Sequence, residues 1–338
     1  MSRARTRADR LPTLNRRFTQ GSLLLLGATL AGFAAGQWWF WELFAHFRVQ
    51  YTLAALVGVA LALGLKRPLW GVLLGFCAGL NGAQLLPLLP NGADLPPPPG
   101  PTLRLLSYNL NAFKSMEPEM LAWLERESFD ILVLLEVTSE DWQALAPLRA
   151  HYPHWTVKPS PTPNGVALLS RVPGTRTAVF EIPGVSSPGV SAYLSLAGRP
   201  LTILGLHPPP SHSPQRSEVQ DQVFQEVIRL AASRPAPLVV AGDLNSTRWS
   251  PRFQNLLTAT GLRDSSDGRG WHPTWPSWLV GLPLLIPIDH FLHTPEITVH
   301  QRRVGADRGS DHYPLEVIFG WNAPRRAVNE TASARPAP

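Results

Sequence analysis

The 338-residue sequence contains a single cysteine, Cys77. One thiol excludes a disulfide scaffold and any zinc or iron–sulfur site built from several cysteines. Charge is scarce as well: Asp, Glu, Lys and Arg make up 16% of the chain, below the roughly 25% of a typical soluble domain. Something apolar dilutes it. Hydrophobic residues account for 44%, so the chain as a whole has material for a core and is not intrinsically disordered. No internal repeat is present. The central region also lacks a basic bulk, although the formal net charge is +6. Residues 1–100 carry nine Lys/Arg against three Asp/Glu, residues 101–320 eighteen against twenty, and residues 321–338 three against one. The basic excess is therefore terminal, and the near-neutral middle weakens the nucleic-acid partner that so basic a chain would otherwise suggest.

The first twenty residues hold Arg3, Arg5, Arg7, Arg10, Arg16 and Arg17 against Asp9. Three apolar runs follow, at 21–41, 49–65 and 69–89. A membrane-spanning helix needs ~20 largely apolar residues, with about 17 as the lower limit. Trp38, Trp39, Trp41 and Trp70 sit at run ends, where amphipathic rings favour the headgroup region. Cations mark cytoplasmic loops. Three spans thus leave residues 1–20 and the Lys66–Arg67 pair in the cytoplasm and put everything after residue 90 outside it. If the second run is instead re-entrant or interfacial, two spans leave the rest of the chain cytoplasmic. The expected protein is multi-pass in the cytoplasmic membrane, with an extracytoplasmic domain. Gly71, Gly75 and Gly79 recur every four residues, a spacing that suits close packing among the chain's own helices, and Cys77 reads as a small packing residue.

Residues 90–101 are proline-rich and read as a semi-rigid spacer. The domain of 102–320 follows, and 321–338 reads as a disordered tail. Strand-like runs bounded by Gly, Pro and Asp occur at 103–108, 131–135, 166–170, 177–182, 191–196, 201–206, 238–241, 288–292, 297–301 and 315–319. Helical periodicity occurs at 117–128, 140–150, 215–232 and 252–260. Many strands with a few interspersed helices suggest two packed sheets with helices outside.

Polar residues cluster where these strands end. Asn109 and Asn111 follow the first, Glu136 the second, and His207 the run 201–206. Asp243 and Asn245 follow 238–241, Asp289 and His290 interrupt an apolar stretch, and Ser310-Asp311-His312 precedes the last strand. Each alone is an ordinary turn or cap; six together suggest a site. Carboxylates, amides and imidazoles without thiol suit Mg²⁺ or Mn²⁺ rather than zinc.

Ser107-Tyr108-Asn109, Leu135-Glu136, Gly205-Leu206-His207, Gly242-Asp243-Leu244-Asn245, Ile288-Asp289-His290 and Gly309-Ser310-Asp311-His312 resemble, in order, the motifs of the endonuclease/exonuclease/phosphatase superfamily over roughly residues 102–320. The resemblance implies an α/β fold, a four-layer αββα sandwich of two mixed sheets. Here an N-terminal bundle of about three transmembrane helices would precede it. It implies a divalent-metal-dependent phosphoesterase with Glu136, Asn109 and Asp311 as metal ligands. Asp243 and Asn245 would position water and a phosphate oxygen, Asp289 would orient His312 as general base, and His207 would donate to a phosphate oxygen. Arg171 and Asn111 are candidate substrate contacts; a plain surface Arg is the alternative for Arg171. His290 reads as structural and His212 as surface. His207, where apurinic endonucleases use Tyr, is similar to the deoxyribonuclease, sphingomyelinase and phosphatase branches. Asn111, where some apurinic endonucleases carry an acid, leaves a second metal open.

The stretch 271–288 is unusually apolar and either dips into a bilayer or packs on the domain. The partners this implies are a phosphoester substrate (a lipid, a small phosphodiester or nucleic acid) and the lipid bilayer; no protein partner is inferred. A nuclease acting outside the cytoplasm is the alternative activity, and a scaffold or receptor that retains the fold is the non-catalytic alternative.

Overall fold

The computed structural model describes residues 7–91, 94, 100–233, 237–279 and 284–322. Residues 92–93 and 95–99 of the expected spacer and 323–338 of the expected tail lie outside the described residues. In chain order the elements are α1 (Arg7–Phe33), α2 (Trp39–Glu42), α3 (Arg48–Gly64), α4 (Pro68–Ala83), β1 (Thr102–Asn109), α5 (Pro118–Arg126), β2 (Ile131–Leu135), α6 (Ser139–Ala144), α7 (Ala146–Arg149), β3 (His154–Lys158), β4 (Val166–Ser170), β5 (Arg176–Phe180), β6 (Gly189–Leu196), β7 (Arg199–Gly205), α8 (Pro214–Ser233), β8 (Leu238–Asp243), α9 (Pro251–Thr260), β9 (Arg263–Asp264), β10 (Asp289–His293), β11 (Ile297–Val304) and β12 (Leu315–Trp321).

Among these residues the strands form two six-stranded sheets, ordered β11-β12-β1-β2-β4-β3 and β5-β6-β7-β8-β10-β9. Both are mixed: β1–β2 and β7–β8 are parallel, and the other paired strands are antiparallel. Side chains alternate across a strand, and in β2 the two faces have different partners. Ile131, Val133 and Leu135 enter the core between the sheets, with Val239, Phe291 and Val317. Leu132 and Leu134 face the other way, into a layer with Trp123, Leu124 and Phe129. On the second sheet Leu204 and Val240 pack against Phe224 and Val227 of α8 and Phe253 of α9. The result is the expected helix–sheet–sheet–helix stack. Strands covered on both faces read as continuous apolar runs, which is why β2 was legible in sequence.

Two local differences have simple causes. The helix expected over 140–150 is broken at Leu145, because α7 starts afresh with Pro147 in its first turn; proline cannot donate to a preceding turn. Strand β3 was not expected, because it is a half-buried edge strand without a continuous apolar run.

The larger correction concerns the N-terminal region. The run 21–41 is not one helix: α1 ends at Phe33, and Trp38 is extended at φ −160°, ψ 139°. The run 69–89 is also interrupted. Helix α4 spans 16 residues, about 24 Å at 1.5 Å per residue, and Pro87 lies in the 3₁₀ turn Leu86–Leu88. Among the described residues one helical run, Trp39–Gly64, is long and apolar enough to cross a membrane, with 26 residues and mean hydropathy 1.5. A three-helix transmembrane bundle is therefore not what the helix lengths give. Hydropathy missed this because Trp38–Phe47 folds onto the sandwich. Glu42 is buried against Ser250 and Arg252, and His46 Nδ1 lies 3.0 Å from Thr247 Oγ1.

Helices α1, α3 and α4 do pack together, through Ala55, Cys77 and Ala78 and a buried polar knot in which Arg48 donates to Asn81 Oδ1 at 3.0 Å and to Gly32 O at 2.6 Å. The expected role of the glycine stripe is not met. A Cβ added at Gly75 or Gly79 would meet nothing within 4 Å, so these two face away from the chain's own helices.

Candidate active site

Parallel pairing of β1 with β2 and of β7 with β8 brings four strand carboxyl ends to one edge of the sandwich. The antiparallel strands β10 and β12 start at the same edge, with Asp289 opposite Asp243 and Leu315 opposite Ser107. Open α/β sheets bind ligands at such carboxyl ends.

Asn109 is buried at the end of β1. Its Oδ1 accepts the Asn111 N–H at 3.0 Å, which turns Nδ2 inward. That nitrogen donates to Glu136 Oε1 at 2.9 Å and Asp243 Oδ2 at 3.2 Å, and lies 3.5 Å from His312 Nε2. Glu136 adopts φ +56°, a conformation that costs a non-glycine residue about 1–3 kcal/mol. The Ala112 N–H holds its Oε2 at 2.9 Å, and Gly165 makes room for the turn, since a Cβ there would lie 2.0 Å from Val137 O. Gly242 acts similarly ahead of Asp243: it has φ +149°, and a Cβ would lie 2.0 Å from Leu206 O.

Asp243 Oδ1 accepts the Asn245 N–H at 2.8 Å. The Asx turn is therefore real, and it also delivers the Asn245 side chain, whose Nδ2 donates to Pro208 O at 3.0 Å and lies 3.1 Å from His207 Nε2. His207 Nδ1 donates to Pro163 O at 2.8 Å, so Nε2 is the nitrogen that faces the site, 3.4 Å from Asp243 Oδ2 and 3.7 Å from Glu136 Oε1. His312 Nδ1 lies 2.8 Å from Asp289 Oδ2, and its Nε2 3.5 Å from Asp243 Oδ2. Thr274 Oγ1 accepts the Asp289 N–H at 3.2 Å. Ser310 Oγ donates to Asn109 O at 2.7 Å and accepts the His312 N–H at 3.1 Å, tying the last motif to the first.

Electrostatics follow from this crowding. Burial disfavours charge on His312, but Asp289 and Asp243 outweigh it and hold the imidazole pKa up at about 10. His207 is raised for the same reason, with burial opposing and Asp243 and Glu136 prevailing. Burial disfavours the Asp243 carboxylate, but His312 and His207 hold its pKa below the usual range.

Asp311 lines the same cleft as Glu136, Asp243 and His312, and its Oδ2 accepts from Trp275 Nε1 at 3.2 Å. Of the two expected substrate contacts, Arg171 lies elsewhere and Asn111 stands beside Asn109. Strand β4 runs antiparallel to β2, so its start reaches the site and its end leaves it. Arg171, just past that end, lies 4.9 Å over the Tyr152 ring and donates to its hydroxyl at 3.1 Å. Asn111 has φ +64° and accepts the Phe113 N–H at 3.1 Å; it shapes the turn. His290 is structural as expected, with Nε2 2.8 Å from Ser246 O and its ring on Phe253. His212, read as surface, is exposed but lines the cleft. Trp275 and Thr274 escaped notice because the stretch 271–288 looked apolar, not catalytic. That stretch packs on the domain through Leu285, Ile286 and Ile288, while Trp278 and Leu284 stay exposed; residues 280–283 lie outside the described residues.

The donor chemistry fits a divalent cation. Glu136, Asp243, Asp289 and Asp311 converge with two imidazoles and the Asn109 amide, and Asp289 Oδ1 is buried without a hydrogen-bond partner. Ligand atoms of Asp243, Asp289 and His312 lie within 4.8 Å of one another. Asp289 Oδ2 and His312 Nδ1 already engage each other, however, whereas Glu136 and Asp311 offer carboxylates that can turn to an ion. Both sets border one basin, since Asp243 Oδ2 touches Asn109 and nears His312.

The profile of the Endonuclease/Exonuclease/phosphatase family matches residues 106–312, from within β1 to His312. The chain belongs to this family. No curated protein matches it. Among solved structures it is similar to the catalytic domain of human Nocturnin with bound sulfate anion, at 18% identity and a TM-score of 0.52 over 66% of this chain and 96% of that one. It is also similar to D. rerio TDP2 complexed with a single-strand DNA product (15%, TM-score 0.54, 65% and 99%). A third likeness is to the endonuclease/exonuclease/phosphatase from Beutenbergia cavernae (19%, TM-score 0.51, 66% and 72%). At these identities the likeness is one of fold.

Proposed function

We propose that this family member is a membrane-anchored phosphoester hydrolase that uses Mg²⁺ or Mn²⁺. The observation that carries the proposal is the Asp289–His312 pair at 2.8 Å, set beside Asp243, Asn109 and Glu136. An imidazole oriented by a carboxylate is the arrangement of a general base. Glu136 and Asp311 would hold the cation through carboxylate oxygens, and Asn109 through Oδ1 once its amide turns that oxygen inward; the cation would supply polarisation of the phosphoester and acidification of water. Neutral His312, oriented through Nδ1 by Asp289, accepts the proton of the attacking water at Nε2. Asp243 and Asn245 orient that water. His207 Nε2–H donates to a phosphate oxygen and stabilises growing charge. Water adds to phosphorus, one P–O ester bond breaks, and the products are an alcohol and the shortened phosphate ester.

Anchoring rests on surface chemistry. Leu24 is 75% exposed, Leu63 68% and Val72 70%, on helices with no protein over those faces; an apolar patch of this kind marks a lipid or partner surface. The candidate crossing lies in the run Trp39–Gly64, in α3 beyond the part that docks on the sandwich, with α1 and α4 packed along it. Phe18 lies against Trp70, so Arg16, Arg17, Lys66 and Arg67 share the end of the helices far from the sandwich. Cations collect on the cytoplasmic side, and on that rule the proposal has the catalytic domain outside the cytoplasm.

A nuclease is the second reading, favoured by the DNA product held by the TDP2 neighbour. Against it, Arg216 is the one Lys or Arg among the described residues that line the cleft, and nucleic acid needs several phosphate-neutralising cations. The test uses full-length protein in detergent. Bis(p-nitrophenyl) phosphate is hydrolysed with Mg²⁺ or Mn²⁺, and EDTA stops it. Asp243→Ala and His312→Ala each cost between about a hundred- and ten-thousandfold in kcat. Activity that survives EDTA, or both substitutions, sinks the proposal; cleavage confined to DNA moves it to the second reading.

A further inference from the structure

The cleft that holds the site, about 840 Å³ in volume, is not built by the family domain alone. Leu43 and His46 also line it, and both precede the sandwich by more than fifty residues of chain. They stand on the Trp39–Gly64 helical run, at the end that meets the domain. His46 is buried, and its Nδ1 accepts the Thr247 backbone N–H at 3.4 Å. A neutral imidazole that accepts at Nδ1 carries its proton at Nε2, so His46 offers the cleft a donor.

The cleft has two chemical halves. Glu136, His207, Asp243 and His312 form the polar half. Leu43, Trp275, Ile286 and Ile288 form an apolar wall beside it. Gln50 of α3 donates to Leu285 O at 2.8 Å, which ties the apolar stretch that supplies Ile286 and Ile288 to the top of the helices. Beside the cleft Trp278, which follows the Ser277 bonded to Asp311 O, is 68% exposed. An exposed tryptophan suits a membrane–water interface, and its place beside the cleft fits an opening that faces a bilayer surface. A water-soluble substrate has no use for this wall, and the scarcity of cations in the cleft disfavours a polyanion.

We infer that the substrate is a phosphoester carrying a long apolar chain, taken directly from the bilayer, and that Leu43 and His46 are specificity-determining residues for it. The phosphate reaches the polar half while the first methylenes of the chain lie along Leu43 and Ile286. His46 Nε2–H meets the headgroup. This rests on the hydrolase reading above.

The experiment uses full-length protein in mixed detergent micelles with Mg²⁺ and, separately, Mn²⁺. The substrates are p-nitrophenyl phosphodiesters whose second ester is methyl, octyl or hexadecyl. In the wild type kcat/KM rises with chain length. Leu43→Ala and Leu43→Asp each lower the hexadecyl-to-methyl ratio of kcat/KM, Leu43→Asp by about tenfold, the scale of a lost apolar subsite. His46→Phe, which keeps a ring but loses the donor, lowers the hexadecyl kcat/KM about threefold. Turnover that is equal across the three esters, or a ratio that both Leu43 variants leave unchanged, overturns this inference and spares the hydrolase reading. No turnover of any ester with either metal overturns the hydrolase reading and this inference with it.

Discussion

The sandwich and the N-terminal helices use the same apolar residue types and do opposite things with them. In the sandwich Leu105, Ile131, Phe291 and Phe319 are fully buried between sheets. In the helices Leu24, Leu63, Leu69 and Val72 stand out from the surface, while the buried interior includes Ala55, Ala62, Cys77 and Arg48 beside Leu74. Burial from water drives the first arrangement. Between helices in lipid that force is absent, and small residues and polar contacts take over. On the anchoring proposed above, the difference reflects the solvent each region meets. It breaks if large apolar residues in the two regions respond alike. Phe291→Ala is expected to cost about 3–5 kcal/mol, read as a fall in the thermal midpoint of full-length protein in detergent. Leu24→Ala, at a site with no protein neighbour to lose, stays within about 0.5 kcal/mol. Equal losses at the two positions would mean that the exposed helical face is covered by protein, not lipid.

The same contrast explains what the sequence disclosed. Asn109, Glu136, His207, Asp243, Asn245, Asp289, Asp311 and His312 were legible because each is the polar residue that ends or begins an apolar strand. The pairing of those strands carries all eight to one edge. Arg171 misled because sequence shows that a residue follows a strand but not which end of the sheet that strand has reached. Leu43 and His46 were out of reach altogether: they fall in the short gap between the apolar runs 21–41 and 49–65, where a connection between spans is expected, and only the Glu42–Arg252 and His46–Thr247 contacts show that this segment docks on the domain. Trp275 was hidden by its neighbours, since nothing in an apolar loop reveals that one indole N–H meets a site carboxylate.

A smaller effect sharpens the comparison at the polar edge of the sandwich, where charge and not burial of apolar surface does the holding. His312 in metal-free protein is held up at about 10 by Asp289 and Asp243 against the cost of burial, whereas an unfolded histidine titrates near ~6.5. A raised folded pKa means that the stabilisation is fully present below about pH 6.5 and is lost as pH rises towards about 10. With EDTA present, the thermal midpoint of the wild type should fall across that window. Asp289→Asn removes a principal cause of the shift and should flatten the fall. A wild-type midpoint that is flat from pH 6.5 to 10 would show that the pair does not carry a proton in the metal-free state.

The smallest effects belong to the glycines of the helical region, and there the sign is informative. Gly79 lies inside α4 with nothing within 4 Å of a Cβ added to it. Gly58 lies inside α3, where a Cβ would approach Leu74 Cδ1 to 2.8 Å. Alanine favours a helix interior over glycine by about 0.8–1.0 kcal/mol. Gly79→Ala should realise that gain, because no contact opposes it, and raise the thermal midpoint slightly. Gly58→Ala makes the same local gain but must push the Leu74 side chain, which is buried between the helices. Its net effect should therefore be smaller than that of Gly79→Ala or of opposite sign. If Gly79→Ala were the more damaging of the two, the stripe would be in contact after all. Since none of the described residues comes within 4 Å of a Cβ at Gly79, a contact from a second molecule would be the first explanation to test.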